Sequence, residues 1–393
     1  MNFNTSRQQE TKNKKTNTMK AKSLTAFLSI VAAVSVGCNK PTPSFSILGT
    51  SQSFQQTSST VVQKKVDILW VIDNSASMET SQANLASNFT AFISRLQTLG
   101  LDYHMAVVTS EAYLAGSYFN NAYSNYSPTA AQFRDGFTGT YGLGHSGVFV
   151  MTPANTTATI FQKNMSEGTS GSGDERAFSS FVQALSDPTN IASGFRRSDA
   201  FLSIIILSDE DDFSGNASFC DHFQSSCSNQ YVGDHNYNAA APILQPVSYY
   251  TGWLDTFAGG HSNYSVSTMY TDSASCLSTL NAAAPSSSRI IATRYPQIAA
   301  QTRGVAGSLC GNFALTLNSI SQSVVELASS FALESIANPT TIQVTVNGAI
   351  VPNSATNGWT YDAASNTVSF HGTAVPAASA TISIVYTPLS AHQ

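Results

Sequence analysis

Two stretches of this sequence leave little freedom in the fold: Val66-Asp67-Ile68-Leu69-Trp70-Val71-Ile72 and Phe201-Leu202-Ser203-Ile204-Ile205-Ile206-Leu207 are apolar almost without interruption. A strand with one face in water alternates apolar and polar residues. One that is apolar throughout has both faces covered, as in a parallel sheet flanked by helices. Tyr103 to Thr109 and Tyr264 to Tyr270 read as further strands, and Val148 to Met151 is another candidate. Between them, Leu85, Phe89, Phe92 and Leu96 recur at three- and four-residue spacings and predict a helix from about Gln82 to Leu96. Further helices are expected at Glu175 to Leu185, near Val247 to Phe257, and from Phe313 to about Phe331. Strands alternating with helices predict an α/β fold over residues 63–332, a doubly wound and mostly parallel sheet. The texture changes after Asn338-Pro339. Thr341 to Val346 alternates with period two, Asn347-Gly348 is a hairpin turn, and strands recur at Thr367 to Phe370 and Thr381 to Tyr386, predicting a small β-sandwich-like domain over 337–393.

The amino end is of another kind. Met19-Lys20-Ala21-Lys22 is a short basic segment, and the apolar stretch Leu24 to Val36 is shorter than the roughly 20 residues a membrane-spanning helix needs. Residues 1–37 therefore read as a signal peptide, with Met19 a candidate start. Val34-Ser35-Val36-Gly37-Cys38 resembles a lipobox, in which small residues precede a cysteine that is acylated after cleavage, although Ser35 stands where leucine is usual. Cys38 is the expected lipidation site. Residues 38–62, rich in Ser, Thr, Gln and Pro, read as a flexible tether.

Charge and cysteine count fit export to a cell envelope. The first 37 residues hold six of the 18 basic side chains and one of the 23 acids; the remainder has 12 basic against 22 acidic residues, a net of −10. Such a surface repels phosphate backbones, so no nucleic-acid partner is expected. With Cys38 acylated, Cys220, Cys227, Cys276 and Cys310 remain, an even number that fits two disulfides in an oxidising compartment. Three pairings are open. Cys220 with Cys227 and Cys276 with Cys310 is favoured because the first pair closes a short loop. A zinc site is disfavoured because neither pair has the two-residue spacing of a zinc knuckle.

Asp73-Asn74-Ser75-Ala76-Ser77 follows the first apolar run directly. Binding sites of parallel α/β sheets lie at the carboxyl ends of strands. One carboxylate and two hydroxyls on alternate residues of an extended turn can face one centre, as hard oxygen ligands suited to Mg²⁺, with Mn²⁺ or Ca²⁺ as alternatives. The D-x-S-x-S string in this context resembles the metal-ion-dependent adhesion site of von Willebrand factor A domains. That resemblance covers residues 63–332 and implies a threonine from a second loop and an aspartate from a third. Asp209, at the end of Ile204-Ile205-Ile206-Leu207-Ser208, matches the aspartate, and Thr169, after Gly168, matches the threonine, with Ser172 as its substitute. The metal set is thus Asp73, Ser75, Ser77, Thr169 and Asp209. Glu210, Asp211 and Asp212 extend the acidic run, and Asp211 to Ser214 are expected to be a solvated loop or a second cation site. Bacterial A-like lipoproteins with a carboxyl-terminal β module are also similar, in the segment Asn357-Gly358-Trp359-Thr360-Tyr361-Asp362.

A shell of hydroxyls leaves a cation short of electrons and ready for an acidic group from outside. The expectation is a metal-dependent adhesion or protein-binding lipoprotein of the bacterial cell envelope, at the outer membrane or cell surface, held to the membrane by its lipid. Its partner would be a protein or glycan offering a carboxylate, met by the loops at 73–79, 110–147, 168–174 and 208–240. No enzyme is expected: the seven histidines lack ligand spacing, and Gly168 to Gly173 fits neither a phosphate loop nor a hydrolase elbow. The alternatives are a scaffold component of an envelope complex and, more distantly, an envelope hydrolase using Asp209 to Asp212.

Overall fold

The computed structural model describes residues 60–61, 65–116, 127–171, 173–215, 244–283 and 289–389. In chain order the elements are β1 (Thr60–Val61), β2 (Lys65–Ile72), α1 (Glu79–Ser87), α2 (Phe89–Thr98), β3 (Asp102–Thr109), α3 (Ala158–Met165), α4 (Ala177–Ser186), α5 (Pro188–Ala192), β4 (Phe201–Leu207) and α6 (Val247–Ala258). They continue with β5 (Tyr264–Tyr270), α7 (Ala274–Ala283), α8 (Arg294–Gln301), β6 (Ala306–Ser308), α9 (Phe313–Leu327), β7 (Ser330–Ala332), β8 (Gln343–Val346), β9 (Ala349–Val351), β10 (Gly358–Asp362), β11 (Thr367–His371) and β12 (Thr381–Val385).

Five strands form one parallel sheet in the order β3-β2-β4-β5-β6. The two apolar runs are its central pair, β2 and β4, and alternate residues serve opposite faces. Ile68, Trp70, Ile72, Ile205 and Leu207 pack under α1, α2, α3 and α9 through Leu85, Phe92, Phe161 and Ile320. Leu69, Val71, Ile204 and Ile206 pack under α4, α6 and α8 through Phe178, Phe181, Tyr250 and Ile298. Each run is continuous because each strand carries two cores, and the α/β expectation holds. Asp67, the polar exception, is buried at the amino end of β2, where Arg196 and Arg197 pair with it at 3.0 and 2.8 Å.

Three expected elements differ. The helix predicted from Gln82 to Leu96 is two helices that break at Asn88, whose side-chain amide donates to Asn84 O at 2.8 Å and so competes with the helical ladder. Val148 to Met151 forms no strand; Met105 and Met151 make a single antiparallel bridge beside the sheet edge. The last long helix stops at Leu327, because Ser330, Phe331 and Ala332 pair as β7 with Ser369, Val368 and Thr367 of β11.

The antiparallel part is two small sheets, β1-β12-β8-β9 and β10-β11-β7. Asn347 and Gly348 make the β8–β9 turn with φ of 50° and 79°, the left-handed pair a two-residue hairpin needs. These sheets draw on more than the carboxyl-terminal segment: β7 comes from the end of the α/β region, and β1, in the stretch read as tether, pairs with Ile382 and Thr381. Val344, Trp359, Val368, Phe370, Ile382 and Ile384 belong to the same apolar cluster as α2 and α9. The loop after β3 has no α-helix or strand among its described residues. Asn190 holds it, donating to Ala131 O at 2.7 Å and accepting from Phe133 N at 2.9 Å. No helix among the described residues is long and apolar enough to cross a membrane.

Cys276 and Cys310 are joined, tying α7 to the segment that enters α9. Cys38, Cys220 and Cys227 lie outside the described residues.

Phe161 is fully buried between Trp70, Phe89 and Phe92, with ring centroids 5.9, 4.8 and 6.5 Å away. Phe161→Ala is expected to cost about 3–5 kcal/mol in urea unfolding, since the site cannot collapse around the lost ring. Phe149→Ala, at a half-exposed position, should change stability by under about 0.5 kcal/mol.

Candidate metal centre

The first strand of the parallel sheet, β2, lies between the second, β3, and the third, β4, so the crossovers leave in opposite directions and a crevice opens at the carboxyl ends of β2 and β4. Asp73 and Asp209 are placed there by strand register. The ladder runs on past Ile72, with Asp73 N–H donating to Leu207 O at 2.9 Å.

Asp73 organises its own loop. Its Oδ1 accepts from Ser75 N–H at 2.8 Å, which turns the chain so that Ser75 Oγ and Ser77 Oγ lie 3.0 Å apart. Ser77 Oγ donates to Asp209 Oδ1 at 2.8 Å. Four of the five residues expected from the sequence thus form one connected set. The fifth, Thr169, is half-buried on the neighbouring loop, and among the described residues no hydrogen bond ties its side chain to this set. Ser172 lies outside the described residues.

The third carboxylate is Glu175, which the sequence reading placed only as a helix start. Asp73, Glu175 and Asp209 are buried, and each offers an oxygen within 4.8 Å of the others. Ser208 Oγ lies 2.9 Å from both Asp73 Oδ2 and Glu175 Oε2. A hydroxyl has one proton to donate and cannot satisfy two ionised carboxylates. The other Glu175 oxygen, Oε1, has no hydrogen-bond partner. Burial, then the charges of Asp73 and Glu210, push the Glu175 carboxyl well above the usual carboxylate range. Burial and Asp73 push Asp209 up to about 6 despite the opposing Arg289. Glu210, buried beside Asp73 and Asp209, is pushed up to about 9.

Gln82 at the start of α1 staples the loops together. Its Nε2 donates to Asp73 O and Gly168 O, each at 2.8 Å, while its Oε1 accepts from Glu167 N–H at 2.9 Å. Gly171 N–H donates to Asn74 O at 2.8 Å, so close that a Cβ there would stand 2.5 Å from the Asn74 side chain. Any larger residue would have to displace the Asn74 carboxamide.

The rest of the acidic run is neither solvated nor a second cation site. Asp211 and Asp212 are fully buried. Asp211 Oδ2 accepts from Thr293 N–H at 2.8 Å and Thr293 Oγ1 at 2.7 Å, and its Oδ1 accepts from Arg294 N–H at 3.0 Å, which caps α8. Asp212 accepts from Phe178 N–H at 2.9 Å at the start of α4 and pairs with the buried Arg294 at 3.1 Å. Two helix starts and one arginine consume these carboxylates.

The donor set suits a hard divalent cation. In an octahedron with bonds of about 2.1 Å, adjacent oxygens stand about 3.0 Å and opposite ones about 4.2 Å apart, so carboxylates spread over as much as 4.8 Å would share one ion partly through water or by closing on it. Buried carboxylates this near one another are accommodated by protons or by positive charge, and Arg289 pairs with Asp209 among the three.

No protein-family model and no curated protein sequence matches the chain. Among solved structures, proximal thread matrix protein 1 of the mussel byssus, one structure of which has a zinc-occupied MIDAS motif, aligns at 12% identity and a TM-score of 0.33, over 70% of this chain and 50% of that one. The pilus adhesin SpaC from Lactobacillus rhamnosus GG aligns at 14% identity and a TM-score of 0.38, over 82% of this chain and 38% of that one. The pilus adhesin RrgA from Streptococcus pneumoniae gives 10% identity and 0.26, over 84% and 57%. The chain thus spans between about two fifths and three fifths of the length of these proteins. The likeness is distant, and what the site can do rests on its own geometry.

Asp212→Ala would leave Arg294 buried without this carboxylate and uncap α4. A loss of about 3–5 kcal/mol is expected in denaturant unfolding. Asp199→Ala, which breaks only the exposed pair with Lys65 at 2.6 Å, should cost under about 1 kcal/mol.

Proposed function

We propose that this crevice binds a divalent cation, Mg²⁺ foremost with Mn²⁺ or Ca²⁺ as alternatives, and recognises through it an acidic group of a protein or glycan partner. The observation that carries this is the convergence of Asp73, Glu175 and Asp209 at a sheet switch point, with Ser75 and Ser77 hydroxyls beside them and one Glu175 oxygen unpartnered. Asp73, Ser75, Ser77 and Asp209 would hold the ion directly or through water, with Thr169 contributing from its loop and Glu175 adding charge behind. When bound, the cation supplies a Lewis-acidic position for an outside carboxylate. The protein's own part is to hold the oxygens in place: the Ser75 N–H fixes the Asp73 carboxylate, Gln82 fixes the loops, and the parallel ladder fixes both.

We infer an adhesive or protein-binding role at the bacterial cell envelope. In this reading the segment 1–37 directs export, Cys38 carries the lipid, and the acidic loops face outward. The burial of the carboxylates and their occupation by structural bonds support binding over catalysis. A hydrolase would need a base beside a metal-bound water, and Asp211 and Asp212 are engaged as helix caps.

Titrating the metal-stripped protein with Mg²⁺ or Mn²⁺ is expected to give saturable heat, and to raise the melting temperature by a few degrees at 100 times Kd, where linkage adds about 2.7 kcal/mol. Asp73→Asn keeps an acceptor for the Ser75 N–H but removes the charge, and should abolish both signals while melting cooperatively. Equal heats and equal melting temperatures for the two proteins would refute the site. For a captured partner, binding should vanish in EDTA and in Asp73→Asn alike.

A further inference from the structure

Arg289 has no place in the metal set expected from the sequence, yet it reaches into the same crevice. Its side chain is almost wholly buried. Nε donates to Asp209 Oδ2, while Oδ1 of the same carboxylate accepts from Ser77 Oγ at 2.8 Å. A second guanidinium nitrogen, Nη2, donates to Ser77 O at 2.9 Å, so the arginine spans two of the loops that form the site. The third, Nη1, donates to Leu280 O at 3.2 Å, in the last turn of α7. α7 is itself fastened by the Cys276–Cys310 disulfide. Arg289 is therefore held from one side by a helix end and from the other by the site.

A guanidinium cannot lose its proton in a protein, so its charge is permanent wherever it sits. One oxygen of Asp209 is consumed by it, and a positive charge stands beside the place where another would enter. Both effects oppose a metal ion. They also stabilise the protein without one, because Asp209 is buried and would otherwise lack a counter-charge.

We propose that Arg289 is a tethered internal cation that competes with the metal for Asp209, weakening metal affinity and keeping the empty site intact. The proposal rests on the cation reading of the crevice and adds its regulation. Metal loading then draws Asp209 away from Arg289, and the freed guanidinium loosens its hold on α7 and on the Ser77 loop. The site can empty and refill without collapsing.

The test is calorimetry with Mn²⁺ alone, together with melting in EDTA and in saturating Mn²⁺, on the full chain. Arg289→Met should bind Mn²⁺ roughly tenfold or more tightly than wild type, because it removes both the competitor and its charge. It should melt lower in EDTA and gain more from metal. Arg289→Lys, which offers one ammonium in place of the three-way fork, should bind Mn²⁺ less tightly than Arg289→Met. If Arg289→Met fails to melt cooperatively, Arg289→Gln, whose neutral amide reaches only as far as the arginine Nε beside Asp209, is read in its place by the same criterion. A residue that only braced the fold would lower both melting temperatures alike and leave affinity unchanged or weaker, and that result would overturn the proposal. Absence of binding in wild type and variant together would instead overturn the cation reading itself.

Discussion

The structure depends on the parallel pairing of β2 with β4. Their ladder fixes which residues leave the sheet side by side, and its last bond, from Asp73 N–H to Leu207 O, sets Asp73 and Asp209 on adjoining loops. With 1% exposure each, both carboxylates are committed to an environment that resists charge. The Ser75 N–H, the Ser77 and Ser208 hydroxyls and Arg289 answer that condition, whereas Glu175 and Glu210 aggravate it. A site assembled on strand ends has little freedom to drift, which suits a function that demands several oxygens at fixed distances.

The four consecutive acids show how neighbours in sequence diverge in role. Asp209 and Glu210 face the crevice, whereas Asp211 and Asp212 turn back to cap α8 and α4. The starts of two helices and the loop at the mouth of the site are therefore locked to one tetrapeptide. Displacing any of these carboxylates would be felt by the others through the same backbone.

Much of the fold was legible because the two continuous apolar runs report burial on both faces, and because helix spacings such as Val247 to Phe257 and strands such as Tyr264 to Tyr270 are local signals. The boundaries that slipped involve partners remote in sequence. Phe331 follows a helical pattern but pairs with Val368, and Asn88 breaks its helix by a side-chain bond that apolar spacing does not register. At the site, Asp73, Ser75, Ser77 and Asp209 were legible from one motif and one strand end. Glu175, Gln82 and Arg289 were not. Glu175 and Arg289 reach the crevice from segments far away in the chain, while Gln82, nine residues after Asp73, acts through an amide that apolar spacing does not register; the one sequence signal is the concentration of charge at Asp174-Glu175-Arg176, within a chain that is 10% charged.

The placement of β1 bears on mechanics. The first and last strands described, β1 and β12, pair with each other, and β2 begins four residues after β1 ends. Eight residues of β2 span about 26 Å, so the crevice stands at the far end of that strand from its point of entry. A force entering at Lys65 and leaving at Asp73 would run lengthwise along β2. Such a pull shears the ladders on both flanks of the strand together instead of unzipping them one bond at a time.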